Sequence, residues 1–119
     1  MSKGREAAVA GVFFALGDGT RLSVVRKLGS GGALSATTLS DGAKVTRQAI
    51  VKHLQVLEGA GLVTHEKRGR EVLYAIKPQR LDEARAFLDD VSASWDRAIE
   101  RLRQWVEEPL PRGSRPAKR

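Results

Sequence analysis

The sequence predicts a mostly helical protein with one small β-hairpin, and three observations indicate this fold class. Apolar residues recur every three or four positions in several segments, good helix N-cap residues precede some of these segments, and two short β-prone runs meet at Arg68-Gly69-Arg70. The length of 119 residues favours one domain, for which 41% apolar residues supply a small core. We expect residues 1–108 to form this domain and residues 109–119, rich in Pro, Gly, Ser and Arg, to be a disordered basic tail.

The first two helices are predicted from apolar spacing and from the residues at their ends. Residues 5–17 repeat apolar side chains at i, i+3, i+4 and i+7, and Gly17 is a natural stop. Asp18 is a suitable N-cap for a second helix over about 19–28, and the glycine-rich run 29–32 should form a flexible connection. The expected inner face of the second helix consists of Leu22, Val25 and Leu28.

A short third helix and a longer fourth helix follow. Ser35 can cap a helix over about 36–41, and residues 41–45 predict a tight turn. Thr46 can cap the fourth helix, which should run to about residue 59. Helical spacing places Ile50, Leu54 and Leu57 on its inner face. The exposed side of the same helix should carry Arg47, Gln48, Val51, Lys52 and Gln55.

The pattern then changes to short strands. Residues 62–67 and 71–76 are β-prone and are joined by a turn with Gly69 at its tip, which predicts a hairpin. Leu34 is expected to lie in a very short additional strand.

A long final helix is predicted over residues 79–107, about 40 Å in length at 1.5 Å per residue. Its a and d heptad positions are all apolar over almost four heptads, and they are occupied by Leu81, Ala84, Leu88, Val91, Trp95, Ala98, Leu102 and Trp105. Because such a helix extends beyond a small domain, its apolar stripe needs a partner, and a homodimer is the favoured interpretation. The alternative is a helix that folds back on its own domain.

The charge is positive and uneven. The net charge is +7, and residues 42–78 hold seven basic and three acidic side chains, whereas residues 79–108 hold five basic and eight acidic ones. This asymmetry favours a polyanion-binding face and a separate face for another role. A positive charge that merely keeps a small protein in solution is the alternative.

Several function classes lose support from the composition. Without cysteine there is no disulfide, thiolate metal site, cysteine nucleophile or thiol redox sensor. His53 and His65 alone do not supply the four ligands of a zinc site, so no metal and no cofactor is expected. No phosphate-binding loop or supported Ser-His-Asp set indicates an enzyme. Without an apolar run of about 20 residues or a secretory leader, we expect a cytoplasmic protein that does not contact a membrane.

The order helix, helix, short helix, turn, helix, hairpin, helix is that of a winged helix-turn-helix. Three stretches resemble the ArsR family of bacterial repressors: residues 14–22 (FALGDGTRL), 45–63 (VTRQAIVKHLQVLEGAGLV) and 68–74 (RGREVLY). Residues 95–99 (WDRAI) are similar to a subgroup with a long final helix. The stretch where metal-sensing members carry Cys-x-Cys corresponds to residues 37–42 and lacks a thiolate, so the resemblance is to members without that sensor.

The resemblance implies a homodimer that represses transcription by binding double-stranded operator DNA. Twofold symmetry of the dimer predicts an inverted-repeat operator. The sequence leaves open whether a protein or a small molecule is the inducer. The recognition helix (about 46–59) and the β-wing (about 62–76) would supply the DNA contacts, which are Thr46, Arg47, Gln48, Val51, Lys52, Gln55, Arg68 and Arg70. The first and last helices would form the dimer interface through Val9, Val12, Phe13, Leu88, Val91, Trp95, Ala98 and Leu102.

Physical arguments agree with these DNA contacts. The first turns of a helix that enters the major groove face base edges, where Arg47 can pair bidentately with guanine and Gln48 with adenine. Arg68 and Arg70 can reach the minor groove or its phosphates. The alternatives are ordinary solvated side chains on the helix and a merely charged turn; for His53, capping, packing and phosphate contact all remain open. A different class of function is a protein-interaction module in which residues 81–106 dock another protein.

Overall fold

The computed structural model describes residues 3–107, and the predicted tail at 109–119 lies outside these residues. The elements in chain order are α1 (Lys3–Leu16), α2 (Gly19–Gly31), β1 (Leu34–Ser35), α3 (Ala36–Ser40), α4 (Arg47–Gly59), β2 (Val63–Arg68), β3 (Glu71–Ile76) and α5 (Pro78–Glu107). This architecture confirms the predicted mostly helical winged helix-turn-helix fold.

Three of the helices begin at the predicted N-caps. The side-chain oxygens of Asp18, Ser35 and Thr46 accept hydrogen bonds from the backbone N–H groups three residues further on, at 3.0, 3.1 and 3.1 Å. Each bond satisfies an amide that has no partner within its helix, which fixes where the helix starts. Thr46 thereby sets the first turn of α4 at Arg47.

The wing is a three-stranded antiparallel sheet with the strand order β1-β3-β2. In the hairpin, Val63 pairs with Ile76 and Arg68 pairs with Glu71, which leaves Gly69 and Arg70 at the tip. Gly69 has φ 63°, a left-handed conformation that glycine adopts without steric cost. The predicted strand boundaries are therefore correct to within one residue, and β1 confirms the short strand at Leu34.

The chain divides into two compact units with the boundary after Arg85. The largest fully buried side chains of the first unit come from helices α1 to α4 and from the start of the hairpin, and they are Val12, Val24, Leu39, Ile50, Leu54, Leu57, Leu62 and Val63. Burial of Ile50, Leu54 and Leu57 confirms the predicted inner face of α4. The recognition helix is therefore anchored in the core along its whole length.

Two expectations about α2 are wrong. The helix continues through Gly31 and ends at Gly32, with φ 77°, so the glycine-rich run is mostly helical. Of the predicted inner face, Leu28 is buried and Val25 is half-buried, but Leu22 is 51% exposed, and Val24, which was not predicted there, is buried. Val24 and Leu28 lie four positions apart and share one face of the helix, and Leu22 lies on another side.

The first helix needs a correction as well. Val9 and Val12 were expected at a dimer interface, but they are only 3% and 0% exposed in the single chain. Their side chains have almost no surface left for a second copy, so they belong to the core. Phe13 is half-buried.

The second unit, within the part of the chain that the structure describes, is the segment 86–107 of α5. At the start of the helix Ala84 is buried, but most of the later heptad positions face solvent. The exposed large apolar side chains of this segment are Leu88, Trp95, Ile99, Leu102, Trp105 and Val106. The predicted apolar stripe therefore exists, and most of it remains uncovered in one chain.

No single helix between residues 3 and 107 is both long and apolar enough to cross a bilayer. Helices α1 and α2 reach such a composition only as a pair, with a bend of 100° between them, and each contributes buried side chains to the core.

Candidate nucleic-acid interface

The outer side of α4 is polar and accessible. Arg47, Gln48, Lys52 and Gln55 are exposed, and Val51 is half-buried between them. These five residues line one open groove along the helix. The arrangement follows from helical periodicity, because the opposite side of α4 is held in the core. The structure thus brings together the helix residues predicted to contact DNA.

A second groove connects α4 to the wing. It has a volume of about 390 Å³ and lies between α3, α4 and β3. Its lining includes Ser35, Thr37, Arg47, Val51, Arg70 and Tyr74. Arg47 and Val51 line both grooves, so the groove along α4 and the groove beside the wing adjoin at these two residues.

The two wing arginines have different surroundings. Arg68 is 67% exposed and donates from Nε to Oε1 of Glu66 at 3.3 Å. Arg70 is exposed at the edge of the second groove. Glu71, the next residue in the chain, lines the same groove as Arg70, so a carboxylate lies near each of the two arginines.

His53, whose role the sequence left open, joins α4 to the corner between α1 and α2. Its Nδ1 lies 3.3 Å from Nη1 of Arg21 and 3.8 Å from Oδ2 of Asp18. Arg21 also donates from Nε to the carbonyl oxygen of Ala15 at 2.6 Å. With its side chain only 23% exposed, His53 packs in a polar contact that fixes the position of the recognition helix.

Asp18 is the acidic member of this contact. The hydrogen bond from the Arg21 backbone N–H, followed by the nearby charges of His53 and Arg21, lowers the pKa of the Asp18 carboxyl, although desolvation opposes the shift. The carboxylate therefore stays ionised to more acidic pH, which favours its role as N-cap of α2.

The other histidine joins the hairpin to the end of α4. Nδ1 of His65 lies 2.8 Å from Oε2 of Glu58, and its ring centroid lies 5.7 Å from that of Tyr74. Between residues 3 and 107, no group of three His, Asp or Glu side chains is arranged to hold a metal ion. In this structure both histidines make contacts that join α4 to neighbouring elements.

Sequence reasoning missed several residues that shape this surface. Thr37 accepts a hydrogen bond from Nε of Arg47 at 3.1 Å, and Tyr74 lines the groove beside the wing. Arg21 reaches His53 across 32 positions of sequence. No periodic pattern indicates such contacts, because they depend on how the helices pack.

The fold and this surface define a winged helix-turn-helix DNA-binding protein. A family model described as a helix-turn-helix domain matches residues 16–66. An HTH-type transcriptional regulator of Mycobacterium tuberculosis is 34% identical over 93 residues, which cover 78% of this chain and 83% of the relative. A solved ArsR-like transcriptional regulator from Rhodococcus superimposes with a TM-score of 0.73 at 36% identity, covering 90% of this chain and 99% of that one. The chain belongs to the ArsR family of winged helix-turn-helix transcriptional regulators.

A second solved structure agrees with this family. A homodimeric winged helix-turn-helix DNA-binding domain from Mycobacterium bovis, described as a possible ArsR-family regulator, gives a TM-score of 0.60 at 27% identity, with coverage of 85% and 93%.

Proposed function

We propose that this protein is a homodimeric transcriptional repressor that binds an inverted-repeat operator in double-stranded DNA. The observation that carries the proposal is the pair of adjoining grooves that follow the exposed side of α4 and lead from it to the wing. Helix α4 would enter the major groove, and the hairpin would contact the adjacent minor groove or its phosphates.

The side chains on this surface suit different parts of a duplex. Arg47 and Gln48 lie in the first turn of α4, where they would pair with guanine and adenine edges. Thr46 and Lys52 would contact phosphates, and Gln55, one turn further along, would lie near the end of the contact. On the wing, Arg68 and Arg70 would each neutralise a phosphate.

The exposed stripe of α5 supplies the proposed dimer contact. Leu88, Trp95 and Leu102 are 50%, 66% and 51% exposed, and such a row of apolar side chains is typical of an interface. The homodimeric state of the Mycobacterium bovis relative supports a second copy as the partner. Val91 and Ala98 complete the stripe. On α1, Phe13 remains a candidate dimer contact, whereas the buried Val9 and Val12 are no longer candidates.

Twofold symmetry connects the dimer to the operator. Two copies of α4 related by a twofold axis would meet equivalent major-groove sites about one helical turn apart, or a multiple of this spacing. The operator should therefore be an inverted repeat. The proposed role is regulatory rather than catalytic, needs no cofactor, and places the protein in the cytoplasm with its DNA.

The proposal is tested by selecting DNA from a random-sequence pool and footprinting the bound duplex. We expect protection of an inverted repeat, with an affinity at or below about 10 nM and far weaker binding to scrambled DNA. Equal affinity for selected and scrambled duplexes would contradict a sequence-specific regulator. An inducer, whether a protein or a small molecule, would be recognised by its release of the footprint.

A second candidate function rests on the same exposed stripe. Residues 81–106 could dock a different protein, and DNA binding would then be secondary. A chain that stays monomeric at micromolar concentration and does not discriminate between duplexes would favour this function. A stable dimer that discriminates would favour the repressor.

A further inference from the structure

A polar contact joins the first helix of the helix-turn-helix to the DNA-reading arginine. Nε of Arg47 donates to Oγ1 of Thr37 at 3.1 Å, across ten positions of sequence. Both side chains are exposed, so core packing does not force them together. Thr37 and Arg47 also line the same groove between α3, α4 and the wing.

The backbone is fixed at both ends of this contact. The carbonyl oxygen of Thr37 accepts from the backbone N–H of Asp41 at 3.1 Å and from Oγ of Ser40 at 2.9 Å. Leu39, two residues further on, is 1% exposed and anchors α3 in the core. Arg47 is the first residue of α4, directly after the Thr46 cap. The hydroxyl of Thr37 is therefore held at a defined place relative to the start of the recognition helix.

We propose that Thr37 is a positioning residue for base recognition by Arg47. An arginine side chain has five N–H donors, and the contact with Thr37 uses the one at Nε. The four donors on Nη1 and Nη2 remain available for the O6 and N7 acceptors of a guanine. Thr37 thus selects the end of the guanidinium that meets the base, and this inference rests on the proposed DNA-binding function.

The contact matters because arginine is flexible. Holding a side chain with many rotamers costs conformational entropy on binding, and a side chain that is already oriented in the free protein loses less. Thr37 should therefore improve binding only where Arg47 meets its correct base. A threonine that itself contacted a phosphate would strengthen binding to every duplex alike.

The experiment compares variants on the duplex selected from a random pool and on a scrambled duplex of equal length. Thr37→Val keeps the side-chain shape and removes the hydroxyl, and it should reduce the affinity ratio between the two duplexes roughly two- to tenfold, mainly by weakening the selected one. Thr37→Ser keeps the hydroxyl and should retain most of the discrimination. Thr38→Val is the matched control, because the Thr38 hydroxyl accepts from Oγ of Ser35, the N-cap of α3, whereas Arg47 donates to Thr37.

A double-mutant cycle tests whether Thr37 acts through Arg47. In an Arg47→Ala background, Thr37→Val should cause no further loss of discrimination, because the interaction is already absent. NMR of the DNA-free protein gives a second readout: the Nε–H signal of Arg47 should exchange faster with water in Thr37→Val than in the wild type or Thr38→Val. Circular dichroism verifies that each variant is folded.

The outcomes separate this inference from the proposed function. If the wild type selects no preferred duplex, both are overturned. If the wild type discriminates and Thr37→Val discriminates equally well, only the positioning role fails. An equal loss on both duplexes would assign Thr37 to phosphate contact and would also overturn it.

Discussion

Helix α4 and the part of α5 beyond Arg85 are both amphipathic, but their apolar sides have different surroundings. In α4, Ile50, Leu54 and Leu57 are at most 1% exposed. In α5, Trp95 is 66% exposed and many neighbouring apolar residues also face solvent. An apolar side that is already buried leaves the polar side of a helix available for a ligand, whereas an uncovered apolar side requires a partner.

The polar sides of the two helices differ as well. The exposed side of α4 carries Arg47 and Lys52, which suit a polyanion. Residues 79–108, which contain α5, hold eight acidic and five basic side chains. An acidic helix is repelled by phosphates, so the charge difference supports the proposal that DNA binds at α4 and a second copy at α5.

The largest expected effect comes from truncating the exposed stripe. Truncation of a buried tryptophan to alanine costs about 3–5 kcal/mol of stabilising free energy, and Trp95 would be buried in the dimer interface. Trp95→Ala should therefore weaken both the dimer and DNA binding, since one protomer alone presents one recognition helix. Sedimentation over a range of concentrations, together with operator binding, measures the two effects.

Arg97→Ala is the control for this prediction, because residue 97 lies two positions away and outside the apolar stripe. It should leave the dimer intact. A Trp95→Ala variant that stayed monomeric and still bound the operator with unchanged affinity would show that the stripe of α5 is not needed for DNA binding.

The next prediction compares the same substitution, leucine to alanine, on α4 and on α5. Leu54→Ala removes a fully buried side chain and should lower the free energy of unfolding by about 2–5 kcal/mol at any protein concentration. Leu88→Ala removes a half-exposed one, so its cost should appear mainly at concentrations where the dimer forms. Urea denaturation at two protein concentrations measures both. If both variants lost the same free energy of unfolding in dilute solution, Leu88 would belong to the core of the monomer.

Substitution of Arg47 tests the polar side of α4. Arg47→Ala should cost about 1–3 kcal/mol on the selected duplex and relax the sequence preference, because a bidentate guanine contact is lost. Arg47→Lys keeps the positive charge but lacks the parallel N–H donors of the guanidinium. This variant should therefore lose discrimination between the duplexes while its salt dependence stays the same. A salt titration on selected and scrambled duplexes separates the contribution of base recognition from that of the positive charge. Equal weakening of both duplexes by Arg47→Ala would contradict base recognition.

Arg70 should contribute charge rather than sequence preference. Arg70→Ala should weaken selected and scrambled DNA evenly and make the logarithmic salt dependence shallower by roughly one unit, which corresponds to one phosphate contact. Arg103→Ala is the control: Arg103 forms an ion pair with Glu100 on α5 at 2.6 Å and lines neither groove, so the substitution removes the same charge without changing the groove residues. If Arg70→Ala abolished discrimination instead, the roles assigned to helix and wing would be reversed.

Local sequence signals were sufficient for most of the fold. The caps at Asp18, Ser35 and Thr46 and the inner face of α4 depend on residues within one or two turns, and all are confirmed. The buried side of α2 was harder to predict, because the apolar residues around Leu22 and Val24 allow two alternative apolar stripes. Packing selects the stripe with Val24, and the helix continues through glycines although each costs about 1 kcal/mol relative to alanine.

The surface was only partly predictable. Helical spacing alone places Arg47, Gln48 and Lys52 on the outer side of α4. It does not show that Arg47 meets Thr37, because that contact requires the packed arrangement of α3 and α4. Similarly, an apolar stripe on α1 does not reveal whether the same chain or a second copy covers Val9, and here the same chain does.

The smallest expected effect concerns pH and the corner that positions α4. The pKa of Asp18 is lowered in the folded protein, mainly by the hydrogen bond from the Arg21 backbone N–H and also by the charges of His53 and Arg21. Its contribution to stability is therefore complete above the range near pH 4 where a free aspartate titrates, and it disappears as pH falls through the lowered pKa. Asp18→Asn keeps an N-cap acceptor but cannot ionise, so it should melt at a lower temperature than the wild type at pH 7. The difference should shrink as the pH is lowered from 5 towards 2, and a gap that stays constant in thermal melts over this range would show that the charge of Asp18 does not stabilise the corner.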